Sequence, residues 1–223
     1  MRRLLPFAAA ALLWGVAVSP VLAEGPGPGP TEGAQVESVL PRLSPEQRAF
    51  IARAEAYLND LHSVQARFLQ ISSTGNYAEG TVSLQRPNRL RMEYDPPAEL
   101  LIVANGSHLI YHDIKLEQVT YIGLNDTPLG VLLREHIAFS DPALTITNFR
   151  EAGGVAEISL VQTKDPGQGT LTLVFTVDPV DLRQWRVVDA QNIEVTVSLF
   201  NPRRDIKLDP DLFVFRAPRK ERD

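Results

Sequence analysis

From Val64 onward the apolar residues recur at every second position, and a period of two commits that stretch of chain to β-structure. Gly80-Thr81-Val82-Ser83-Leu84-Gln85 alternates cleanly, as does Arg89-Leu90-Arg91-Met92-Glu93-Tyr94, so each presents one apolar and one polar face. Leu100-Leu101-Ile102-Val103-Ala104 leads into Asn105-Gly106, a strong hairpin signal because tight turns need residues that tolerate positive φ, and the chain returns through Leu109-Ile110-Tyr111. Further strand-like runs surround Val119, Ile146, Ile158, Leu173, Val187 and Val197. Consecutive short strands separated by turn residues predict an antiparallel meander.

Two segments break this period. Ser44-Pro45-Glu46-Gln47 has a hydroxyl N-cap, proline at the first helical position and glutamine at the capping-box position, and Phe50, Ile51, Ala54, Leu58 and Leu61 follow at helical spacing. That is an amphipathic helix whose apolar stripe lies on another element. Thr127-Pro128-Leu129-Gly130-Val131-Leu132-Leu133-Arg134-Glu135 carries an N-cap, a proline in the first turn and a helical apolar cluster. This short helix between strands reads either as a lid or as an ordinary core helix.

A single-layer antiparallel sheet of this length curls, and its apolar face needs cover. With only two helices available, cover is incomplete and a concave apolar space remains, the usual form of a ligand site. The expected fold is mainly β with a helical lid (α+β), a curved antiparallel half-barrel covered by short helices around an apolar cavity. Alternation phase assigns Val82, Leu84, Leu90, Met92 and Leu101 to the cavity wall, with Leu129, Leu132 and Leu133 on the lid.

The N-terminal residues read as a secretory signal: Arg2 and Arg3 as the basic region, Leu4 to Val18 as the apolar run, and Val21-Leu22-Ala23 as the cleavage site, with the cut after Ala23. The Arg2-Arg3 pair also fits twin-arginine export, although a two-residue basic region suits an ordinary signal. Gly25-Pro26-Gly27-Pro28-Gly29-Pro30 cannot continue a helix or a strand, so residues 24–43 are expected to form a disordered arm, with a folded domain over 44–218 and a charged tail over 219–223. The 22 basic residues include Arg2 and Arg3, so cleavage moves the net charge from −5 to −7. That balance disfavours nucleic acid or an anionic membrane surface as main partner. There is no cysteine, so stability rests on burial in one domain, and the chain lacks the residue that a lipoprotein acylates.

Catalytic and metal-binding patterns are weak. His108 and His112 lie on one strand, about 13 Å apart at roughly 3.3 Å per residue, too far to share a metal without a bend. No nucleophile elbow or reactive cysteine accompanies His112-Asp113. Asp178, Asp181, Asp209 and Asp211 flank prolines or strand ends, where aspartate caps turns. Gly153-Gly154 and the Gly167/Gly169 pair lack the following Lys-Ser/Thr of a phosphate loop and read as hairpin turns. Neither an enzyme activity nor a cofactor nor a metal is expected.

The segment Gly80-x5-Arg86-Pro87-Asn88-Arg89-Leu90-Arg91-Met92-Glu93-Tyr94-Asp95-x-Pro97 is followed in order by Leu101 to Gly106, Leu116-Glu117-Gln118-Val119 and Thr127-Pro128-Leu129. Together, from about Ala49 to Pro218, these resemble the LolA family of outer-membrane lipoprotein carrier proteins. The resemblance implies about eleven antiparallel strands closed by a helical lid. It also implies a periplasmic, monomeric carrier that takes acylated lipoproteins from an inner-membrane ABC-type releasing complex to an outer-membrane acceptor. Arg86 would hold the lid shut through hydrogen bonds to lid-loop groups. Met92 stands where the family often has tryptophan, which implies a softer cavity wall. A lipid- or lipoprotein-sensing module of the same fold and an exported hydrolase are the alternative readings.

Overall fold

The computed structural model describes residues 36–217. The expected signal, residues 24–35 of the arm, residue 218 and the tail over 219–223 lie outside them. Helix α1 (Pro45–Asp60) begins on Ser44, whose hydroxyl accepts from the Gln47 amide while the Gln47 side chain accepts from the Ser44 amide. This reciprocal cap satisfies two otherwise orphaned donors. Phe50, Ile51, Ala54 and Leu58 are buried along one stripe.

Eleven strands follow: β1 (Ser63–Ser72), β2 (Tyr77–Gln85), β3 (Arg89–Tyr94), β4 (Leu100–Asn105), β5 (His108–Asp113), β6 (Gln118–Gly123), β7 (Leu144–Ala152), β8 (Val155–Gln162), β9 (Gly169–Val177), β10 (Val180–Asp189) and β11 (Glu194–Arg204). They form one antiparallel, unclosed sheet in the order β6-β5-β4-β3-β2-β1-β11-β10-β9-β8-β7. Each half is a run of hairpins, and β1 joins the halves by pairing with both β2 and β11. The Asn105-Gly106 turn forms where expected, with Gly106 at φ 108° and the Asn105 carboxamide accepting from the Ser107 and His108 amides. Residues 124–143 span the gap between the edge strands β6 and β7. The Leu124 amide donates to the Ser107 carbonyl, and the Gln162 side chain of β8 donates to the Asn125 carbonyl.

Cross-strand register identifies the concave face. Val82, Met92 and Ile102 stand side by side, as do Leu84, Leu90 and Ala104, and all are buried in the main core with the α1 stripe. Leu101 corrects the expected phase: it pairs with Glu93 and His112 and so lies on the outer face. Leu100, not Leu101, packs against the core from this strand.

The outer face is divided. Over β8 and β9 it is mixed, with the Ser159 and Thr172 hydroxyls 2.9 Å apart beside the buried Val161 and Val174. Over β3 to β6 the C-terminal residues 205–217 cross it as a strap. The Asp205 amide donates to Ser63 O, Arg91 donates to Leu212 O at 3.1 Å, and the Phe215 ring meets His112 and Tyr121 edge-on. Val103, Ile110, Leu208 and Phe213 are buried outside the main core, forming a second small apolar layer beneath this strap.

The expected disordered arm needs a second correction. Residues 36–43 include a 3-10 turn (Leu40–Arg42), Val39 donates its amide to Ile146 O at 2.8 Å, and Val39, Leu40 and Leu43 pack against the core. Three apolar side chains were enough to dock what composition alone assigned to the arm. The run Gly25 to Pro30 carries no long apolar side chain, so its deletion is expected to leave the thermal midpoint within about a degree or two. Deleting 24–43 removes partial burial of three aliphatic side chains, at about 1.5–3 kcal/mol for each fully buried one, and should lower the midpoint clearly in a calorimetric scan.

Candidate ligand cavity

The C-terminal turn of α1 closes one end of the half-barrel, above the start of β1 and the end of β2. Beneath it is a small, partly open void of about 20 Å³, walled by Leu58, Val82, Leu84, Leu132, Leu182 and Trp185 and bordered by Tyr57, Arg86 and Arg204. One water needs roughly 10–15 Å³ of such space. The void has room for about one water and is too small for an alkyl chain.

The void's cover is the segment expected to form the short helix. It folds as a 3-10 turn (Pro128–Val131), with the Thr127 hydroxyl accepting from the Gly130 amide. Leu132 and Leu133 are buried, and Leu129 is partly buried against the core. A Cβ on Gly130 would lie 2.1 Å from Leu124 O, so this tight turn requires glycine.

Arg86 follows directly on β2 and lines the void. Its Nε donates to Arg134 O at 2.8 Å, one Nη donates to Arg134 O at 2.6 Å and Glu135 O at 3.4 Å, and the other donates to Leu58 O. All three acceptors are main-chain carbonyls. Leu58 O belongs to the last turn of α1, which has no basic residue of its own, so the guanidinium supplies the positive charge that a helix C-terminus favours. Burial pulls the Arg86 pKa down from its ordinary value. Beside it, the Asn88 amide donates to Leu133 O at 2.8 Å. On the solvent side of Arg86 opens a cleft of about 270 Å³ lined also by Asn59, His62 and Glu135.

A second polar cluster holds the other flank of α1. The Tyr57 hydroxyl donates to Asp181 Oδ1 at 2.9 Å, Arg204 Nε donates to the Tyr57 oxygen at 3.2 Å, and Arg204 also pairs with Asp181. Burial is the main influence raising the Tyr57 pKa. For Arg204 burial is the largest single influence and lowers the pKa, but Tyr57 and Asp181 together outweigh it and the net shift is upward.

Of the nine residues assigned from sequence, Val82, Leu84, Arg86 and Leu132 line the void. Leu90, Met92 and Leu133 belong to the same continuous core, Leu129 packs at its margin, and Leu101 lies outside it. Sequence reasoning missed Tyr57, Trp185 and Arg204. Trp185 shares its alternation phase with Val187, but Leu182 and Trp185 reach one face only through the bulge between Leu182 and Gln184, which alternation does not reveal, and the Tyr57–Asp181–Arg204 cluster joins three distant elements and leaves no local pattern. Among the described residues no group of three or more His, Cys, Asp or Glu could hold a metal, and no helix is long and apolar enough to cross a membrane.

Residues 59–216 match the family described as outer membrane lipoprotein carrier protein LolA. The chain is 33% identical over 190 residues to the outer-membrane lipoprotein carrier protein of Alkalilimnicola ehrlichii, covering 81% of this chain and 86% of that one. It is 30% identical over 183 residues to the protein of that name in Pseudomonas aeruginosa, covering 78% and 86%. A solved LolA superfamily protein from Nitrosomonas europaea aligns with a TM-score of 0.46 at 9% identity, covering 76% of this chain and 97% of that one. The match over 59–216, with the two relatives aligned over most of their length, establishes that the chain belongs to the LolA family of outer membrane lipoprotein carrier proteins.

Proposed function

We propose that this protein ferries acylated lipoproteins through the periplasm, taking them from an inner-membrane ABC-type releasing complex and passing them to an outer-membrane acceptor. It acts as a monomer, exported by the N-terminal signal and cut after Ala23, with 44–218 as the carrier domain. The observation that carries this reading is an apolar void at whose rim the Arg86 guanidinium ties α1 and the covering loop to the β2–β3 turn through main-chain carbonyls. Acyl burial is worth about 0.8 kcal/mol per methylene, so an unopposed cavity would hold a triacylated ligand too tightly to release it. A stable closed state opposes that gain, because apparent affinity falls with the fraction of molecules open. In this scheme Arg86 is the lid latch, set between the apolar void and the open cleft.

Trp185 is the only tryptophan among the described residues and is buried in the cavity wall, so its emission reports occupancy. Titration with a triacylated lipopeptide should shift that emission and displace a bound apolar dye. Met92 is 3% exposed between Val82 and Ile102, and Met92→Asp would place a carboxylate there at a cost of several kcal/mol. A folded Met92→Asp protein is expected to lose dye and lipopeptide binding together. Unchanged binding in that folded variant would place the acyl site elsewhere. Mass spectrometry of cargo co-purified from periplasm should find intact lipoproteins; free lipid alone would favour a sensor over a carrier.

A further inference from the structure

Two side chains of α1 join the helix to the lid loop. The Asn59 carboxamide donates to Ile137 O at 2.8 Å and accepts from the Ile137 amide at 2.9 Å, so one side chain satisfies both main-chain groups of that residue. One turn earlier, the Glu55 carboxylate accepts from the Phe139 amide at 2.6 Å. Ile137 and Phe139 point their own side chains into the core, 0% and 2% exposed. The loop is therefore fastened to α1 by polar bonds and to the interior by burial.

The flanks of this assembly are fastened unequally. Toward β7 to β11 it is held by Tyr57 on Asp181 and Arg204 on Tyr57, with Phe50 packed against Phe149 and Phe175, while the start of the loop, before residue 128, is tied to both halves, by Gln162 on the Asn125 and Thr127 carbonyls and by the Leu124 amide on Ser107 O. Toward β2 and β3, among the described residues, the hydrogen bonds to α1 or to residues 128–139 come only from Arg86 and from the Asn88 amide. Every polar tie on that side belongs to one turn.

From this asymmetry we propose that Asn59 and Glu55 are positioning residues that make α1 and the lid loop one body, which stays with the β7–β11 half while the cavity opens along the Arg86–Asn88 seam. The ligand then enters between the β2–β3 turn and the lid, by way of the open cleft beside Arg86, whose lining includes Leu61 and Pro87. This deepens the carrier reading and rests on it for the identity of the ligand. Arg86 contacts Leu58 O and Arg134 O, one on the helix and one on the loop, so it can release both together only if they move together. Asn59 and Glu55 supply that connection.

The chain contains no cysteine, so pairs of spin labels can be placed without background. Ala56, His136 and Arg89 are exposed, on α1, on the lid loop and beside the seam respectively. In the full chain, the pair Ala56→Cys/His136→Cys measures helix to lid, and Arg89→Cys/His136→Cys measures the seam. A triacylated lipopeptide is expected to lengthen the seam distance and leave the helix–lid distance unchanged. Arg86→Leu should do the same without ligand. Adding Asn59→Ala should let the helix–lid distance broaden on opening, with Trp185 emission and far-ultraviolet dichroism verifying the fold.

A helix–lid distance that lengthens in the otherwise unaltered protein, alone or with the seam, overturns the proposal. So does a seam that stays closed while Trp185 reports bound lipopeptide. Failure of Trp185 to report any binding would instead count against the carrier reading. The Arg86→Leu distances then decide the proposal on their own: an open seam with a fixed helix–lid distance supports it, and any other pattern overturns it.

Discussion

Arg86→Leu is expected to bind lipopeptide about tenfold more tightly or better, and to hand it on correspondingly more slowly. A hydrogen bond from an ionised donor contributes about 1.5–3 kcal/mol, and the guanidinium makes such bonds to Leu58 O and Arg134 O. Leucine retains much of the apolar stem while removing every donor, so the closed state loses at least one bond's worth of free energy and the open fraction rises. Apparent affinity rises in proportion to that fraction. The variant should purify with cargo attached and stall at transfer to the acceptor, as read by lipopeptide titration and a transfer assay. Wild-type loading and transfer by the folded variant would reduce Arg86 to a strand-end arginine with its stem on the cavity rim.

Phe50→Ala should act through stability, with no gain in binding. Phe50 is 2% exposed, with ring centroids 6.0 Å from Phe149 and 6.3 Å from Phe175, so its removal leaves a cavity under α1 that β7 and β9 cannot close. Truncations of this kind cost about 3–5 kcal/mol. For a domain of this size each kcal/mol lowers the midpoint by about 2–4 °C, giving a fall of roughly 6–20 °C. Thermal or urea denaturation would measure it. A fall of less than a few degrees would mean that α1 is held by its polar ties and not by aromatic packing, contrary to the burial pattern. The contrast with Arg86→Leu separates the helix's anchor from its latch.

The strands were legible because a half-buried strand writes its geometry into every second residue, and the capping box marked the start of α1 equally well. Phase between strands is a different matter. Leu100 to Ala104 is apolar throughout, and its apolar residues face both ways because the strap covers the outer side with Leu208 and Phe213. A continuous apolar run has no readable parity, which is why Leu101 was assigned to the wrong face. The strap lies more than a hundred positions further along the chain and gave no local sign of covering β4. Arg86 could be placed because the strand phase and the family resemblance agreed, whereas Asn59 resembles any polar residue at a helix end. Its role depends on where the loop from Arg134 to Phe139 returns, and no local rule fixes that.

The sheet order has a further consequence for how the molecule comes apart and together. The first and last strands do not lie at the edges; they pair with each other in the middle, Val64 beside Arg204 and Ser72 beside Val195. Hairpins can zip β1 to β6 and β7 to β11 locally, but this central pairing must close a loop of nearly the whole domain before any contact repays the lost entropy. Until it forms, Phe68 and Leu199, which face each other across the junction, belong to two separate sheets. Truncating the chain before β11 would therefore not trim a border strand. It would split the barrel down its centre line.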